Sequence, residues 1–113
     1  MIPQIRPSNL AAWFQKFSSA AKPVLLDVRE PHERVTASVK PDGFELVAIP
    51  MNSIPQRLTE LDPARPTAVL CHHGARSQRV AAFLEAQGFA NLANVAGGIE
   101  AWALEVDTSV NRY

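Results

Sequence analysis

Four short apolar runs rich in branched side chains recur along this chain, and what lies between them is loop or helix-patterned sequence. The runs are VLLDVR (Val24–Arg29), LVAIPM (Leu46–Met51), TAVLC (Thr67–Cys71) and NLANV (Asn91–Val95). A run of four to six such residues, apolar on both faces, reads as a strand buried on both sides. A shorter fifth candidate, PQIRP, opens the chain. Between them, Leu10, Trp13, Phe14 and Phe17, and later Val80, Phe83 and Leu84, recur at helical spacing. Alternating strands and helices leave one economical packing: a central parallel sheet of about five strands with helices on both faces, joined by right-handed crossovers. In such α/β sheets a binding site forms beyond the carboxyl ends of the strands.

The local punctuation refines this reading. Ser8 is placed to cap a first helix over 9–20. Pro31 suits the first position of a helical turn over 30–35. Pro41, Asp42 and Gly43 make turn chemistry within a loop. Ser53 is placed to cap a short helix over 54–61. A helix from Ser77 is stopped by Gly88, and Gly97 with Gly98 turns the chain into a last helix. Residues 105–113 carry no pattern and read as a tail on a single domain of 113 residues. Trp13 and Trp102 read as packing residues, with Trp102 also a candidate to border a cleft.

With 47% apolar residues the chain can build an ordinary core, and with 11 basic and 11 acidic side chains it offers no electrostatic footing for nucleic acid or an anionic membrane. No stretch approaches the roughly 20 apolar residues of a membrane span, nor does the start carry the apolar core of a signal peptide. A single cysteine forms no internal disulfide, which fits a reducing compartment, and a cytoplasmic location is expected.

That cysteine, Cys71, ends the third long apolar run and is followed by His72, His73, Gly74, Ala75, Arg76 and Ser77 before the helical pattern takes over. An isolated buried cysteine is ordinarily a small core residue. The strand–turn–helix seam shifts the reading toward a nucleophile. A short turn with glycine, followed by a helix start, can turn several backbone N–H groups toward one point and cradle an anion there. The helix start contributes about 0.3–1 kcal/mol to such an anion, and Arg76 is placed to add to it. No general base is then required. His72 and His73 line the loop, their side chains expected to point apart. No second cysteine or spaced histidine pair suggests a metal, so neither metal nor cofactor is expected. Asp27 and Arg29, at another strand end, are expected to brace the loop by an ion pair or turn hydrogen bonds, with Glu30 beside them; Arg79 reads as surface charge near the mouth.

These residues resemble the rhodanese family. CHHGARS is similar to its active-site loop, LLDVRE (Leu25–Glu30) to its strand-and-turn signature, and VAGGIEAW (Val95–Trp102) to its C-terminal Gly–Gly…Trp element, in family order over about Pro3 to Leu104. The resemblance implies a rhodanese-like fold and transfer of sulfane sulfur. Cys71 would take sulfur from a small donor such as thiosulfate, or from a persulfide, and pass it as a cysteine persulfide to cyanide or a thiol, including a protein thiol. A sulfur-relay module with little small-molecule turnover is the alternative. A cysteine phosphatase or arsenate reductase fits less well, since its loop separates cysteine and arginine by five residues, and here four separate Cys71 from Arg76. The stretch over 33–52 lacks the family's usual pattern and is a few residues longer, so one wall of the pocket is expected to differ and the resemblance does not imply the acceptor.

Overall fold

The computed structural model describes residues 1–17 and 21–113. Five strands, β1 (Gln4–Ile5), β2 (Val24–Asp27), β3 (Glu45–Ala48), β4 (Thr67–Leu70) and β5 (Leu92–Val95), form one sheet in the order β1-β5-β4-β2-β3. Every pairing is parallel, with Val24 opposite Thr67, Asp27 opposite Leu70 and Thr67 opposite Leu92. Among the described residues, four α-helices accompany them: α1 (Pro7–Gln15), α2 (Pro31–Thr36), α3 (Ala75–Ala86) and α4 (Gly98–Glu105).

The period-two geometry of the strands divides the core in two. Leu25, Ala68, Leu70, Ala93 and Val95 face α1 and α4, where Leu10, Trp13, Phe14, Ile99 and Trp102 cover them. Val24, Leu26, Val69 and Leu92 face the other way, onto Val80, Ala81 and Leu84 of α3 and onto Ile54 and Leu61. β2, β4 and β5 are buried at every position, as sandwiched parallel strands require.

Three expectations change at the ends of elements. α1 has Arg6 at its N-cap and Pro7 at its first position, so Ser8 lies inside the helix and its hydroxyl donates instead to Glu105 Oε1, 3.0 Å away on α4. The fixed φ of proline suits the first helical position, which moves the start ahead of the serine. The part of the expected first helix at 18–20 lies outside the described residues. Around Ser53 there is no α-helix: short 3-10 turns occupy Met51–Ser53 and Leu58–Glu60, with Ser53 closing the first. Pro55 lies in the turn between them. α3 begins at Ala75, two residues before the expected Ser77.

After β2 the chain steps outward to β3, then returns across to β4 on the other side of β2. The carboxyl ends of β2 and β4 therefore flank the point where the connections diverge, the crevice in which open parallel sheets bind ligands. Asp27 ends β2 there and Cys71 follows β4.

Candidate active site

Cys71 leaves β4 with its side chain on the α3 side of the sheet, 2% exposed. Gly74, with φ 108°, makes the bend and serves as the N-cap of α3. Because the helix starts early, Ser77 falls in its first turn and points back at the sulfur. The Gly74 N–H donates to Cys71 Sγ at 3.1 Å, and Ser77 Oγ lies 3.2 Å from it. One amide and one hydroxyl thus meet the thiol sulfur directly.

Asn94, on β5, decides what that hydroxyl does. Its Nδ2 donates to Gln4 Oε1 at 2.8 Å and to Gly74 O at 3.1 Å, which fixes the amide's orientation. Asn94 Oδ1 is left as an acceptor, and Ser77 Oγ donates its one proton to it. Ser77 therefore faces Sγ with a lone pair and can accept the thiol proton. Sequence reasoning missed Asn94; a buried polar residue in an otherwise apolar strand was the available signal.

The floor of the loop is the start of α4. The Ile99 N–H donates to Cys71 O at 2.9 Å and the Glu100 N–H to His72 O at 3.2 Å. Gly98 lets the two backbones meet: at φ 59°, a β-carbon there would sit 2.5 Å from Cys71 O and closer still to His72 O.

Arg76 does not reach toward the sulfur as a free cation. Its Nη1 and Nη2 donate to Glu33 Oε1 and Oε2 at 2.6 and 2.9 Å. Glu33 also accepts from the Glu30 N–H at 3.0 Å and from the Tyr113 hydroxyl at 2.8 Å. The Arg76 fork, followed by these other donors, outweighs burial and holds the Glu33 carboxyl well below the usual carboxylate range. The same fork raises Arg76 above its ordinary value. Glu30 serves through its backbone; its side chain is exposed.

Arg29 is fully buried. Its Nε donates to Asp27 Oδ1 at 3.0 Å and its Nη2 to Asp27 Oδ2 at 2.7 Å, while Nη2 also reaches Ala37 O at 2.9 Å. Its Nη1 donates to the Tyr113 hydroxyl at 2.9 Å. Burial disfavours the charged guanidinium, but hydrogen bonds to Asp27 and Tyr113 outweigh it and raise Arg29 overall. Tyr113 thus joins two ion pairs, passing from Arg29 to Glu33 through one oxygen. The tail over 105–113 is not an idle appendage: Val110 is in the core and the Asn111 side chain donates to Thr36 O at 3.0 Å.

The two histidines stack rather than diverge. His72 lies between His73, with ring centres 3.9 Å apart, and Tyr113, 3.8 Å away. Burial, and then the neighbouring His73, push His72 below its ordinary value. Among the described residues its buried Nε2 has no hydrogen-bond partner. Among the described residues, His72, His73 and Glu100 bring one ligand atom each within 4.8 Å of the others. Glu100 Oε1 accepts from Arg112 Nε at 2.8 Å, so this carboxylate is already paired. Trp102 lies away from Cys71, on the other face of the sheet, lining a concavity of about 380 Å³ with Leu10, Phe14 and Phe44.

Residues 10–105 match the model of the rhodanese-like domain family. A protein of Allochromatium vinosum named sulfurtransferase is 34% identical over 103 residues, covering 91% of this chain and 90% of its own. A rhodanese-like/PpiC domain-containing chloroplast protein of Arabidopsis thaliana is 41% identical over 91 residues, and the match spans 79% of this chain but 30% of that longer protein. The crystal structure of a rhodanese-like domain protein from Staphylococcus aureus superposes with a TM-score of 0.74 at 26% identity, covering 99% of both chains.

Proposed function

This chain belongs to the rhodanese family, and on that premise we propose that it is a sulfurtransferase whose Cys71 accepts and hands on a sulfane sulfur atom. The relative named sulfurtransferase supports sulfur transfer in general. The observation that carries the reading is the placement of Sγ at the carboxyl end of β4, under the Gly74 N–H at 3.1 Å and beside Ser77 Oγ at 3.2 Å.

In the first half-reaction Cys71 releases its thiol proton to solvent and the resulting thiolate attacks the outer sulfur of the donor. The new bond joins Sγ to that sulfur, and the donor's sulfur–sulfur bond breaks with its electron pair leaving on sulfite or on a thiolate. Cys71 is left as a persulfide. In the second half-reaction an acceptor, cyanide or a thiol, attacks the terminal sulfur and Cys71 departs as thiolate. Two displacements through one covalent intermediate give ping-pong kinetics. Ser77 takes the thiol proton's hydrogen bond at rest, and the Gly74 amide faces the charge that develops on sulfur. Among the described residues no helix is long and apolar enough to cross a membrane. A working free thiol suits a reducing compartment, the cytoplasm in this reading.

Incubation with thiosulfate or a persulfide, then cyanide, yields thiocyanate, and Cys71→Ser abolishes the yield. A serine variant that turned over normally would overturn the assignment. The burial of Cys71 favours a second reading, a relay module that takes sulfur from a docked protein, because a donor reaches Sγ only when side chains around it move aside. That reading predicts a stable persulfide in the absence of small-molecule turnover.

A further inference from the structure

We infer that Glu33 sets donor specificity: by pairing with the only arginine of the catalytic loop it disfavours small dianionic donors such as thiosulfate and leaves a site suited to persulfides of lower charge. The inference rests on the sulfurtransferase reading above and names the substrate class within it.

The charges in the first half-reaction make the distinction. Thiosulfate, with two negative charges, meets the Cys71 thiolate, with one; the products are a Cys71 persulfide anion and the sulfite dianion, so the site carries three negative charges throughout. An ionised persulfide, with one charge, gives a Cys71 persulfide anion and a departing thiolate, so two charges are carried. A site that accepts the first reaction needs an uncompensated cation near the sulfur. Between Cys71 and Ser77 the one permanent cation is Arg76, and both of its terminal nitrogens face the Glu33 carboxylate. Glu33 is 8% exposed, and the Glu30 N–H and the Tyr113 hydroxyl hold its carboxylate in place, so it cannot easily swing away. The neighbouring charges are matched as well: Arg29 with Asp27, and Arg112 with Glu100. Arg34 directs a guanidinium nitrogen to Arg29 O at 3.2 Å, and Arg79 stands exposed on α3. Neither belongs to the loop, and an exposed charge is weakened by water and salt.

Glu33 acts through Arg76 and is a positioning residue. Removing its charge while keeping its shape unmasks the arginine. The test is single-turnover sulfur uptake, read by intact mass, with thiosulfate and with cysteine persulfide on the same protein sample. The ratio of the two second-order rate constants cancels the folded fraction. Wild type prefers the persulfide at least tenfold. Glu33→Gln raises the thiosulfate-to-persulfide ratio at least tenfold, about 1.4 kcal/mol, and the double variant Glu33→Gln with Arg76→Gln loses that gain. A purely structural role for Glu33 lowers both rates and leaves the ratio in place, which overturns the inference. A wild type that prefers thiosulfate overturns it without any variant. Sulfur uptake from neither donor overturns the sulfurtransferase reading itself, and this inference with it.

Discussion

Replacing Gly98 by alanine tests how the loop is held, and its effect can be worked from the backbone alone. An alanine β-carbon would lie 2.5 Å from Cys71 O and nearer His72 O, and these are backbone atoms that no rotamer change can move. Relief of the overlap pulls α4 from the loop. That breaks or weakens two hydrogen bonds, Ile99 N–H to Cys71 O and Glu100 N–H to His72 O, each about 0.5–1.5 kcal/mol. The positive φ of 59° adds about 1–2 kcal/mol for any residue with a β-carbon. The sum is about 2–5 kcal/mol, a large part of a small domain's stability. Gly88 provides the control: its φ is also positive, at 96°, but nothing lies within 4 Å of a β-carbon there. Gly88→Ala should therefore show the backbone cost alone, leaving an excess of about 1–3 kcal/mol for Gly98→Ala, or roughly 4–12 °C in Tm for a chain of this size. The assay is thermal unfolding of both variants beside single-turnover sulfur uptake. Gly98→Ala should also lose about 100-fold or more in uptake, since a shift of about 1 Å in a reacting group has that effect, while Gly88→Ala keeps its rate. Equal Tm values for the two variants, or an intact rate in Gly98→Ala, would refute the claim that α4 sets the loop.

Other perturbations follow the ion-pair network. Asp27→Asn leaves the buried Arg29 guanidinium without its counter-charge, and denaturant unfolding should show a loss of about 3–5 kcal/mol. Tyr113→Phe keeps the stack on His72 but removes the hydroxyl shared by Arg29 and Glu33; a loss of about 1–3 kcal/mol is expected by the same measurement, with slower sulfur uptake. Glu33 has a folded-state value below its unfolded one near 4.3, so its contribution is fully present above about pH 5 and declines as pH falls below it. The Tm difference between wild type and Glu33→Gln should accordingly be constant at neutral pH and shrink under acid; a difference that grew on acidification would reverse the assigned sign.

Much of this architecture was legible because it rests on local pattern. The branched runs gave β2 to β5, and proline at a first helical position marked α2. The Cys71–Ser77 seam and the Gly97–Gly98 turn stood out because glycine and a thiol at strand ends have few other uses. What the sequence hid depends on distant partners. Ser8 and Ser53 are good caps in isolation, yet Pro7 takes the first helical position ahead of Ser8, and Ser53 closes a 3-10 turn instead of opening a helix. Arg76 was legible as a loop cation, but its pairing to Glu33 spans 43 residues. Tyr113 is the chain's only tyrosine and sits in a polar, unpatterned stretch, so nothing local pointed to a ring against His72 and a hydroxyl between Arg29 and Glu33. The hydrogen bonds from the α4 amides to the loop's carbonyls were hidden for the same reason, since they join segments far apart in the chain.

The most direct measurement is the mass of the protein and of its Cys71 peptide after exposure to a sulfane donor and removal of the excess. One added sulfur, about 32 Da, located on Cys71 and discharged by cyanide or a thiol, is the predicted result. An unchanged mass with every donor, or the same gain in Cys71→Ser, would contradict the account.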